Sequence, residues 1–284
     1  MSGPSQDLVK ARTRRLLISG ALAVLLSVGL LAIGHHHTWW GPEPSRDPGA
    51  LVLRIRFVEG MASPFDRPVP DISVYGDGRV LTTAIDLAAS PAREVVKDQR
   101  LTHIAYRRVY RDAHLAGLGR SRSFHSDQQI LDAGPTVVTL LAGGRRHVST
   151  VQPGASGARV WLINRLANHL RSLPRSDLER PPVTYRPERM AIVAWQSQEK
   201  WQSQESSSGS SPDAGTTVTP WPLRPLPAGQ QATCTLLTGA DSEVAARLAD
   251  SAAPNTAWRS GPNLYAVLFR PLLPDETDCT ALTP

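Results

Sequence analysis

The densest grouping of acid–base side chains is His125, Asp127 and Asp132, in a polar stretch that follows a helical pattern. An imidazole beside a carboxylate is the pairing that general-base work needs, yet no nucleophile motif accompanies it. Gly154-Ala-Ser-Gly157 lacks the glycine spacing of a nucleophile elbow. Ser197-Gln-Glu-Lys200 has the serine–lysine spacing of penicillin-binding enzymes without their companion motifs. His35-His36-His37 offers imidazoles to a transition metal, but consecutive helical residues point in different directions and no carboxylate stands near. His103 and His114 are three turns apart along one helix, too far to share an ion. Asp77, between Gly76 and Gly78, lacks the further spaced oxygens of a calcium site. No phosphate-binding loop is present. These residues single out no catalytic group, no metal site and no cofactor.

What the sequence does mark is a location. Leu16 to Gly34 is an uncharged apolar run, and as a helix it would rise about 28 Å, the hydrocarbon thickness of a bilayer. Lys10, Arg12, Arg14 and Arg15 precede it, and Trp39-Trp40 follow at interfacial spacing. Basic flanks stay cytoplasmic, so residues 1–15 read as a cytoplasmic tail, 16–34 as a transmembrane signal anchor, and the rest as extracytoplasmic. The alternative is a secreted protein cleaved after Gly34, since Ala32-Ile-Gly34 fits a signal-peptidase site.

The chain has 284 residues and a net charge of +6, of which residues 1–15 supply +3. The remaining +3 looks too slight and too dispersed for a nucleic-acid surface. Expected partners are therefore the bilayer through residues 16–34 and a protein, lipid or wall component of the envelope. Cys234 and Cys279 are the only cysteines. An even count in an oxidising compartment reads as a disulfide.

The elements that must position any site follow in order. Residues 41–49 read as a proline-stiffened tether. Leu51–Val58 alternates as a half-buried strand, and two hairpins turn at Gly76-Asp-Gly78 and Ala142-Gly-Gly144. Helices are expected over 102–117 and about 157–172, with Thr102 as N-cap. Met190–Trp195 reads as a strand that completes a subdomain over 50–195. Residues 196–222 read as a low-complexity insert or linker, and Pro220–Pro227 as a stiff spacer. Two strands, 232–237 and 264–269, and a helix over 241–251 then form a small disulfide-closed subdomain over 223–284. The fold class is α+β, with a largely antiparallel sheet and about three helices.

Tyr75-Gly-Asp-Gly-Arg79, the Cys234–Asp241 stretch, and Trp258-Arg-Ser-Gly261 with Tyr265 and Phe269-Arg-Pro-Leu-Leu-Pro-Asp-Glu276 together resemble uncharacterised exported proteins of Actinobacteria, membrane-anchored or secreted. The resemblance implies export and a disulfide and supplies no activity. The expectation is a non-enzymatic, membrane-anchored envelope binding module; the alternative is an envelope hydrolase with dispersed catalytic residues. Trp258, Tyr265 and Arg270 are residue types of binding hot spots and form the expected surface, unless they fill the small subdomain's core.

Overall fold

The computed structural model describes residues 43–58, 60, 69–87, 92–127, 130, 132–196, 217–227, 229, 231–253 and 255–282. The apolar run 16–34 with its flanks, and residues 197–216 of the expected insert, lie outside these residues. Among the described residues no helix is long and apolar enough to cross a membrane.

Strands β1 (Leu51–Phe57), β2 (Ile72–Tyr75), β3 (Arg79–Asp86), β4 (Arg93–Arg100), β5 (Arg122–Phe124), β6 (Thr136–Ala142), β7 (Arg145–Val151) and β8 (Val183–Thr184) form one sheet in the order β5-β7-β6-β1-β2-β3-β4-β8. Pairing is antiparallel except between β5 and β7. The β6–β7 turn places Gly143 and Gly144 at φ 58° and 71°. Two successive positive φ values match the strand twist, and glycine adopts them without strain. Helices α1 (His103–Leu115) and α2 (Ala158–Arg171) cover one face of the sheet. Thr102 caps α1 by accepting from the Ala105 N–H, as its sequence position predicts. Val109, Tyr110, Ile163 and Leu170 pack there on Ile55, Ile72, Val74 and Leu140.

The second sheet holds β9 (Arg189–Gln196), β10 (Thr217–Pro220), β11 (Thr233–Thr238), β12 (Thr256–Ser260) and β13 (Asn263–Pro271), in the order β10-β12-β13-β9-β11. Helix α3 (Gly239–Ser251) lies over it, with Ala245 among Met190, Ile192, Leu237 and Tyr265. Two expectations are corrected here. Strand β9 does not complete the first subdomain but sits between β13 and β11, which gives the small C-terminal part the central strand its core lacked. The spacer is also packed rather than free. Trp221 donates its backbone N–H to Arg259 O and stacks near Trp258 and Phe269, while Leu226 is buried.

The tether is likewise docked from Ser45 onward. Tyr106 of α1 donates to Ser45 O at 2.8 Å, and Ala50 O accepts from the Gly76 N–H. A Cβ on Gly76 would stand 2.4 Å from Asp47 O. Backbone cannot yield as a side-chain tip can. Gly76→Ala should therefore cost about 1–3 kcal/mol, measured as a lowered denaturant midpoint with an unchanged slope.

Candidate functional site

The expected surface of Trp258, Tyr265 and Arg270 is interior. Their relative exposures are 3%, 1% and 3%. Strand β13 is flanked by β12 and β9, and both its faces are covered. Trp258 meets Trp221 and Phe269 edge-on at 5.4 and 5.8 Å. Tyr265 fills the core beneath α3. Arg270 donates to Glu276 Oε1 at 2.9 Å and to Pro271 O. The cysteine expectation fares differently: Cys234 and Cys279 are joined, Cα to Cα 6.1 Å, so the tail is pinned to β11.

That tail is the joint between the sheets. Leu273 enters an apolar cluster with Leu51, Tyr75, Leu81, Val96 and Tyr185 on the first sheet's second face. Leu272 turns the other way, onto Ala191 and Val193 of the second sheet. A bulge in β1 between Leu51 and Leu53 brings Leu51 to this side. Polar groups seal the rim. Arg54 and the Tyr75 hydroxyl both donate to Asp275 Oδ1 at 2.8 Å, and Glu276 accepts the Leu273 N–H at 2.8 Å. Burial and the nearby Asp275 carboxylate push the Tyr75 hydroxyl far above its ordinary pKa. Burial, then the neighbouring Arg54 and Arg270, lower that of Arg56. A cavity of about 120 Å³ opens beside the joint, lined by Arg79, Tyr185, Arg186, Glu188 and Arg189. It is smaller than the roughly 300–1,000 Å³ of typical small-molecule sites. Arg79 is already held by Asp98 at 2.6 Å.

The acid–base residues singled out by sequence do not converge. His125, Asp127 and Asp132 are all exposed, and Asp132 sits at φ 64°. A different pair forms instead: His169 Nε2 stands 3.3 Å from Asp177 Oδ2. Arg108 bridges both oxygens of the same carboxylate at 3.3 Å. The arginine claims the carboxylate, and the trio ties α1, α2 and the turn after α2 together. Among the described residues no three His, Cys, Asp or Glu side chains gather as metal ligands.

His114 stands at the end of α1, 4.6 Å from the Tyr110 ring, and its buried Nε2 has no hydrogen-bond partner among the described residues. Burial, then the nearby His147, lowers its pKa. The folded chain thus binds a proton less readily than the unfolded chain, whose imidazole titrates near 6.5. Its contribution to stability is full above about pH 6.5 and declines as pH falls toward the lowered folded value. His114→Phe should flatten that slope relative to the parent chain, read from denaturation at a series of pH values.

The helix layer carries the largest concentration of charge. From Thr102 to Arg122 and from Gly157 to Asp177 there are nine arginines against two aspartates, a net +7. Residues 44–284 carry 27 bases and 23 acids, net +4, so the remainder of that part is −3. Six of the nine stand on the two helices, Arg107, Arg108 and Arg111 on α1 and Arg159, Arg165 and Arg171 on α2, while Arg120 and Arg122 follow α1 and Arg175 follows α2. The two helices run side by side in opposite directions: a Cβ at Gly117, just past α1, would lie 3.3 Å from Arg159 at the start of α2. Trp161 is 59% exposed, with Arg165 over its ring at 5.4 Å, and Ile104 and Leu115 are also exposed. Compared with protein-family models, curated proteins and solved structures, the chain matches none.

Proposed function

We propose that this protein is a membrane-anchored, extracytoplasmic binding module, held by residues 16–34, whose α1–α2 layer engages an anionic component of the cell envelope. Membership among the exported actinobacterial proteins it resembles belongs to the same proposal. The observation that carries it is the net +7 of the two segments 102–122 and 157–177 that contain α1 and α2, together with an exposed Trp161. Arginine and tryptophan are the residue types that dominate binding energy at interfaces. Arginine also presents a planar fork that fits carboxylate and phosphate oxygens. The hydrolase alternative has less support, because the carboxylate of the His169–Asp177 pair is also held by Arg108.

A photoreactive residue at Asn164, exposed on α2 between Trp161 and Arg165, tests the surface in intact cells. Covalent adducts should form from position 164 well above those from Ile85, which is 58% exposed on β3. Equal yields from the two positions would contradict the assignment of the helix layer as the binding face.

A further inference from the structure

The helix layer has a composition that selects among anionic partners. Ile104, Leu115 and Trp161 are 73%, 58% and 59% exposed; along α1, Ile104 and Leu115 stand three turns apart with Arg107, Arg108 and Arg111 between them, and along α2 Trp161 lies between Arg159 and Arg165. Protein interfaces are built around a contiguous, desolvated core. Scattered apolar side chains among cations suit a different solvent. At a bilayer surface each apolar residue enters the headgroup boundary separately while arginines remain with the phosphates. Arg107, Arg159 and Arg175 are exposed with no carboxylate within 4.0 Å among the described residues. No ion pair among the described residues has to break for them to meet such a surface.

The chain also enters the fold beside this layer. Ser45 O is fixed by the Tyr106 hydroxyl of α1, and Ile104 lies two residues before Tyr106 in the first turn of the same helix. Residues 35–44 intervene between the apolar run and that contact. Fully extended, ten residues reach no more than about 35 Å. A short tether raises the local concentration of its own membrane to the millimolar range, so weak contacts suffice.

We infer that the occupant of the α1–α2 face is the anionic phospholipid headgroup surface of the bilayer in which the chain is anchored. The inference rests on the anchoring and binding-face reading proposed above. It names phosphate-bearing lipid as the ligand and assigns Arg107, Arg159, Arg165 and Arg175 as its contacts. Trp161 and Ile104 are the residues that enter the interface.

The full chain, reconstituted into liposomes, decides the matter. A fluorophore at Asn164→Cys reports the face, since both native cysteines are bonded to each other. One set of vesicles is phosphatidylcholine alone and the other is rich in phosphatidylglycerol, each with a headgroup-level quencher. The docking predicts strong quenching in the phosphatidylglycerol vesicles, little in phosphatidylcholine, and loss of quenching at about 1 M salt, where the Debye length is near 3 Å. Arg107→Glu with Arg165→Glu should weaken the docked population by about tenfold or more. A probe at Ile85→Cys should stay unquenched throughout. Failure of the chain to float with either vesicle overturns the anchoring. Flotation without selective quenching at 164 overturns lipid docking while the anchor stands. In that case added polyphosphate separates the remainder: a salt-sensitive response of the probe keeps an anionic ligand for this face, and no response removes the binding-face reading as well.

Discussion

Arg270→Ala should lower the unfolding free energy by about 3–5 kcal/mol, one of the two largest effects of any substitution considered. The guanidinium and the Glu276 carboxylate are each 3% exposed and lie 2.9 Å apart. Removing the cation leaves a carboxylate that also accepts the Leu273 N–H, in a place where water cannot replace the lost charge. Arg54 is the nearest substitute at 3.9 Å, and it is already committed to Asp275 at 2.8 Å. Glu276→Gln should cost less than Arg270→Ala, because the amide oxygen still accepts from the backbone. Replacing both partners by apolar residues of like volume should recover much of the loss. Denaturant titration of the single and double variants measures all of this. A change below about 1 kcal/mol for Arg270→Ala, the range of exposed pairs, would mean that the pair is solvated in solution. An Arg270 on a binding surface would leave stability untouched, so this variant also separates the two placements of that residue.

Cys279→Ser should cost about 4 kcal/mol, the chain-entropy value for a loop of 45 residues. The disulfide holds more than its own loop. It fixes the tail whose Leu272 and Leu273 occupy the cores on either side of the joint and whose Asp275 and Glu276 take up Arg54 and Arg270. Releasing one end should loosen both sheets together. Two consequences can be measured. Reductant should shift the parent chain to the midpoint of Cys234→Ser and leave that variant unmoved. Combining Cys279→Ser with Arg270→Ala should destabilise by less than the sum of the two, since both act on one segment.

How legible all this is in the sequence varies with how local the signal is. The hairpin glycines, the Thr102 cap and the apolar stripes of α1 and α2 are set by near neighbours, and each reads correctly from its own few residues. Strand β4 does not, because Arg93, Glu94, Lys97, Asp98 and Arg100 mask its alternation. It is a strand because β3 and β8 pair with it, and partners across a sheet are not written in the strand itself. Strand β9 illustrates the same point at larger scale. Its run Met190-Ala-Ile-Val-Ala-Trp195 is plain, but its neighbours β11 and β13 come after a long insert. The Phe269–Glu276 segment stands out in sequence, and the fold gives a reason: it serves two cores and two ion pairs at once. The proposed binding face is the hardest to read. Nine arginines spread over about seventy residues look like background until α1 and α2 bring six of them into one helix layer.

The most direct measurement concerns which side of the membrane the folded part occupies, because a module for anionic envelope components has to stand outside. Two reporters fused after Pro284 answer this: an alkaline phosphatase, which is active only where disulfides form, and a fluorescent protein that matures only in the cytoplasm. The reading predicts phosphatase activity and no fluorescence, with the orientation weakened when Lys10, Arg12, Arg14 and Arg15 are made neutral. Fluorescence without phosphatase activity would place the Cys234–Cys279 pair and the helix layer in the cytoplasm, and would contradict the account from the anchor onward.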